Sequence, residues 1–111
     1  MEVIKEKEEG VIMDYSIPIP MTHPGVILQE EFIKPLNLTQ AKLAELLNVG
    51  IKTVNEIIKE KRSVTPVMAL RLSKLFSTTP QYWLNFQDGY DLYKAYKDEK
   101  DNLNFIQPFS A

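Results

Sequence analysis

Cysteine is absent from the 111 residues, histidine occurs once and glycine only four times. Without cysteine there is no disulfide framework and no thiolate metal site. The one histidine, His23, would leave a metal to be held by carboxylates alone, and no Ser-His or Cys-His arrangement supports a nucleophile pair. It reads as a residue at the start of a helix. The scattered glycines make no phosphate-cradling loop. No apolar run approaches the roughly 20 residues of a membrane span, and the acidic N-terminus lacks the basic start and apolar core of a signal peptide. Glu8-Glu9 and Glu30-Glu31 are adjacent pairs that diverge on a helix and so do not suit paired-carboxylate chemistry. These absences exclude an enzyme, a metal and a cofactor from the expectation, and point to a soluble cytoplasmic protein.

What is present is one modest core's worth of apolar residues, 44% of the chain, and a segregated charge. The net charge of −2 conceals the pattern. Residues 1–33 carry two lysines against seven acids, and residues 75–111 three lysines against five. Between Lys34 and Lys74 there are eight basic residues and only Glu45, Glu56 and Glu60. A basic centre between acidic ends fits a chain that meets DNA with one face and a basic partner with another.

The periodicity predicts an all-α fold of five helices. Residues 1–20 read as an extension, a flexible tail or short strand, ending in Ile17-Pro18-Ile19-Pro20. Residues 21–97 form the DNA-binding domain, and 98–111 a C-terminal tail. Helix one spans Pro24–Lys34, with Ile27, Leu28, Phe32 and Ile33 at helical spacing. Thr39 caps helix two, which carries Leu43, Ala44, Leu46 and Leu47. Helix three is Thr53–Lys61, with Val54, Ile57 and Ile58 inward. Thr65-Pro66 and Thr79-Pro80 open the fourth helix and a long aromatic fifth that runs to about Lys97. Trp83, Phe86, Tyr90 and Tyr93 make a stripe on that last helix, a core or dimer seam rather than a base-stacking platform.

Helices two and three meet the demands of a helix-turn-helix over about residues 39–60. Two short helices crossing steeply need a small residue where their backbones approach, here Ala44, and a left-handed residue in the turn, here Asn48. Val49, Val54 and Ile57 supply the apolar wedge. Gln40, Ala44, Leu47, Asn48, Val49, Val54 and Ile57 together fit the repressor-type motif.

The words around the motif are more specific. His23-Pro24-Gly25, Leu28, Glu31-Phe32, Pro35-Leu36, Leu38-Thr39-Gln40, Asn55-Glu56-Ile57, Thr65, Ala69-Leu70-Arg71-Leu72, Trp83-Leu84-Asn85-Phe86-Gln87 and Tyr90-Asp91-Leu92 closely resemble the HigA family of antitoxins. These belong to the phage-repressor-like superfamily and are also described as VapI-like plasmid-maintenance antidotes. The resemblance covers roughly residues 22–97. Val26 departs from the Glu common after His-Pro-Gly, and Asn48 from the usual Gly. The resemblance implies a homodimer that represses its own operon at an inverted repeat and neutralises a HigB-like toxin, a small basic ribonuclease acting on messenger RNA. A stand-alone repressor with the same fold and no toxin is the alternative.

Position in the motif places the N-terminal part of helix three in the major groove. Lys52 and Asn55 are the principal base readers, suited to guanine and adenine, with Glu56 in support, and Ile51 or Thr53 meets a thymine methyl or a phosphate. Thr39 and Gln40 at the start of helix two, with Lys59, Lys61 and Arg62 at the end of helix three, are the phosphate contacts.

Overall fold

The residue that starts the first helix also closes its open end. In the computed structural model, which describes residues 5–6, 11–12 and 18–109, His23 lies in extended backbone and its Nδ1 accepts the Gly25 N–H at 2.9 Å, opening α1 (Pro24–Ile27). The helix continues without a break as a wider π-helical run, Leu28–Ile33, and the Lys34 N–H reaches back five residues to the Gln29 carbonyl at 3.0 Å. Helix one therefore changes gauge midway, a feature that apolar spacing alone does not predict. Upstream, β1 (Lys5–Glu6) and β2 (Val11–Ile12) pair antiparallel, with Lys5 opposite Ile12. Glu8-Glu9 and Ile17 lie outside the described residues.

Threonine hydroxyls open three of the next four helices. Thr39 Oγ1 accepts the Lys42 N–H at 3.0 Å before α2 (Gln40–Leu47). The next helix, α3 (Ile51–Ile58), has no side-chain cap and starts from extended Gly50. It begins two residues before the expected Thr53 and stops short of Lys61, since Glu60 turns left-handed at φ 64°. Thr65 and Thr79 cap the Met68 and Tyr82 N–H groups before α4 (Pro66–Phe76) and α5 (Pro80–Leu103). Pro66 and Pro80 each fill a first-turn position where no N–H is needed.

α5 passes the expected end at Lys97 and runs to Leu103, so Asp98–Leu103 is helical. Nothing in Asp98-Glu99-Lys100-Asp101 breaks a helix, and the next proline is Pro108. No helix among the described residues is long and apolar enough to cross a membrane.

Leu28, Leu43, Leu47, Val54, Ile57, Leu72 and Trp83 fill the core, with the small side chains of Ala44 and Ala69 buried among them. Of the aromatic stripe, Trp83 belongs to the core, whereas Phe86, Tyr90 and Tyr93 are half-buried. Trp83 is fully buried in its own chain, packs 5.1 Å from Phe32 and 5.2 Å from Tyr82, and donates its indole N–H to Thr78 Oγ1 at 2.8 Å. Farther along α5, Tyr90 sets its ring edge-on to His23 at 4.8 Å. Gln87 is buried too, accepting the Val64 N–H at 2.8 Å and donating to Asp91 at 3.0 Å, which ties the approach to α4 onto α5.

The cap at His23 requires an unprotonated Nδ1, so the neutral ring carries its proton on Nε2. Burial pushes the imidazole below its ordinary pKa, with Lys94 acting in the same sense and Glu60 and Asp91 opposing. A folded-state value below the unfolded one means that the unfolded chain binds more protons. The contribution of His23 is therefore complete above about pH 7 and declines as the pH falls through about 6.5, the unfolded value. Urea midpoints should fall between pH 7 and 5, and His23→Asn, a cap that does not titrate, should flatten that slope. Equal slopes in the two proteins would assign the pH dependence to other groups.

Candidate nucleic-acid interface

The turn between α2 and α3 is built as a helix-turn-helix requires. Asn48 has φ 59° and ψ 48°, and the Val49 N–H returns to the Ala44 carbonyl at 3.0 Å. Left-handed backbone costs most side chains about 1–2 kcal/mol, and Asn is among the few that adopt it readily. Ala44 is buried beside Leu43, Leu47, Val54 and Ile57. A residue from outside the motif locks the turn. Arg71 of α4 donates through Nη1 to the carbonyls of Leu47 and Asn48, both at 2.9 Å. The sequence counts Arg71 with the basic centre, but its charge serves the free carbonyl end of α2. No local signal shows this, since the partners lie 23 and 24 residues apart.

At about 100° per residue, Val54 and Ile57 set the inward side of α3, Lys52, Asn55, Glu56 and Lys59 fall on the opposite side, and Ile51 lies on the flank beside Val54. Ile51, Lys52 and Lys59 are exposed, whereas Asn55 and Glu56 are half-buried. Thr53 is half-buried on the flank next to Ile57, away from the centre of the face.

Two of the expected contact residues are already engaged with two others. Asn55 Nδ2 donates to Gln40 Oε1 at 3.1 Å, joining the two helices of the motif. This leaves Asn55 one amide N–H and its carbonyl oxygen, the pair that matches adenine N7 and N6. Gln40 keeps both of its amide N–H groups. Thr39 spends its oxygen on the helix cap and retains its O–H as a donor.

Glu56 and Arg62 form the second pair. Arg62 Nε and Nη2 both reach Glu56 Oε1, at 2.9 and 2.6 Å, and the guanidinium holds the carboxyl below the usual carboxylate range. Glu56 thus stays ionised with its charge compensated by the guanidinium. Lys61 is exposed just beyond. Lys34 and Lys42 pair with Glu30 and Glu45 at 3.0 and 3.5 Å on open surface, contacts worth at most about 1 kcal/mol. Among the described residues no cluster of His, Asp or Glu has the makings of a metal site.

A helix-turn-helix family model matches residues 30–83. Virulence-associated protein I of Dichelobacter nodosus is 45% identical over 93 residues, covering 84% of this chain and 85% of the relative. An HTH-type transcriptional regulator of Haemophilus influenzae is 44% identical over 86 residues, covering 78% and 77%. Among solved structures, the Pseudomonas aeruginosa antitoxin HigA with the higBA promoter superposes with a TM-score of 0.77 at 38% identity, over 80% of this chain and 98% of that one.

Proposed function

Since the chain belongs to the HigA family of helix-turn-helix antitoxins and regulators, which are DNA-binding proteins and not enzymes, we propose that it is the antitoxin of a toxin–antitoxin pair. In this reading it captures a HigB-like mRNA-cleaving toxin and represses its own operon in the cytoplasm. The observation that carries the DNA half is the free side of α3, where exposed Lys52 lies beside an Asn55 held in place by Gln40. Lys52 and Asn55 read bases, supported by Glu56 and by Ile51 or Thr53. Thr39, Gln40, Lys59, Lys61 and Arg62 grip phosphates. A single eight-residue reading helix touches few base pairs, so a homodimer on an inverted repeat, with half-sites about 34 Å apart on one DNA face, gives the specificity. Charge supports the toxin half, because a basic ribonuclease is complementary to the acidic segments 1–33 and 75–111.

The test joins both halves. The chain is mixed with DNA from upstream of its own gene and with the product of the neighbouring frame. A retarded operator band, and an RNA-cleaving neighbour silenced by the chain, are expected. The regulator from H. influenzae favours a second reading, a repressor without a toxin. Operator binding beside a neighbour with no ribonuclease activity would establish that alternative, and failure to bind DNA even at low salt would overturn both.

A further inference from the structure

The last turns of α5 and the residues after them leave apolar surface unpartnered in a single chain. Leu92, Ala95, Tyr96, Glu99 and Leu103 follow one another along one stripe of α5 and, with Pro18, line an open groove of about 340 Å³. Leu92 is 59% exposed. Beyond the helix, Phe105 is 85% exposed, Ile106 69% and Phe109 94%. This is the largest apolar exposure among the described residues, and it lies next to the groove in sequence.

We propose that two copies of this chain exchange these segments, residues 104–109 of each lying in the α5 groove of the other. It rests on the reading of the protein as a homodimer and specifies where the dimer is sealed. Three observations support it. The lengths are compatible: Leu92 to Leu103 rises about 16 Å along the helix, and the four residues beyond the last turn, 106–109, reach about 13 Å when extended. Direction is the second. The N–H groups of Asn104, Phe105 and Ile106 bond to the carbonyls of Asp101, Asn102 and Leu103, so the segment leaves along the helix and does not double back onto its own groove. Area is the third. The apolar side chains of segment and groove expose on the order of 600 Å² per copy. Doubled by a two-fold axis, this comes to about 1,200 Å², the lower end of stable interfaces. A two-fold pair also satisfies segment and groove twice with one contact type, as an isologous dimer demands.

The lack of native cysteine makes the test clean. The full chain is prepared separately as Leu92→Cys and as Phe109→Cys; the two are mixed and mildly oxidised. A disulfide-linked dimer joining the two different variants is expected, beyond the like-with-like products each gives alone. A chain carrying both substitutions should cross-link at dimer mass. An internal disulfide at monomer mass would show the segment folding back, and would overturn the exchange. Independently, Phe105→Ser/Phe109→Ser should raise the dimer Kd by about 30-fold in sedimentation. An unchanged Kd would refute the exchange and leave the dimer standing, whereas a parent chain that is monomeric at micromolar concentration would refute the dimer itself.

Discussion

Gly25→Ala is expected to destabilise the protein by about 3 kcal/mol, at the upper end of ordinary overpacking costs. A Cβ at position 25 would lie 1.9 Å from the Ile57 carbonyl oxygen and 2.8 Å from its carbon. The obstruction is backbone, so no rotamer change relieves it. α1 must move off the end of α3, and the Ile57 carbonyl already accepts the Glu60 N–H that closes the helix. Gly50→Ala is the internal control. Its Cβ meets nothing within 4 Å, and its φ of −75° suits any residue. It should be close to neutral, because the lower entropy of the unfolded chain, worth up to about 1 kcal/mol, is offset by alanine being a poorer N-cap than glycine. Urea midpoints measure both variants, and a Gly25→Ala midpoint equal to the parent's would show that α1 and α3 are not tightly apposed.

Lys52→Ala/Asn55→Ala should reduce preference for operator over random DNA by about 100-fold, two base-edge contacts at roughly 1–3 kcal/mol each. Stability should fall by only about 1 kcal/mol, the worth of the hydrogen bond to Gln40. Lys61→Ala should act differently, weakening operator and random DNA alike and flattening the salt dependence, because phosphate contacts release counterions without reading sequence. Arg62→Ala should resemble Lys61→Ala with an added penalty, since it leaves the Glu56 carboxylate uncompensated at the edge of the reading face. Titrations of both DNAs over a salt series check these outcomes. Full operator preference in the Lys52/Asn55 double variant would place the reading face elsewhere. Capture of the proposed toxin should survive in every variant, and its loss would mean that the two proposed partners share one surface.

The fold was largely legible because its signals are local. Thr39, Thr65 and Thr79 announce helix starts within four residues of the bonds they make, and Ala44 with Asn48 marks the crossing and the turn. Boundaries failed where the deciding interaction was weak or distant. α3 starts at Ile51 from an uncapped Gly50, which carries no signature, and α5 continues through Asp98 to Leu103 because nothing opposes it. At the candidate site, the face of α3 follows from spacing, but the pairings across it do not. Asn55 meets Gln40 over 15 residues, and Arg71 reaches the turn over more than 20. Such contacts depend on how whole helices cross, and periodicity records only which side of each helix faces inward.

Arg71 bears on how the protein breathes. A helix-turn-helix is often pictured as a hairpin mounted on a body, able to fray by itself. Here the carbonyls of its turn are gripped from α4, and the end of α3 is pressed by α1 at Gly25. Three segments far apart in sequence must therefore be in place before α3 is fixed. The motif is expected to open only when the surrounding helices also open, as part of the same cooperative unit as the core. Amide hydrogens of α3 are then expected to exchange with solvent almost as slowly as those of the buried turns of α4, and a segment of residues 39–60 on its own is expected not to hold the turn.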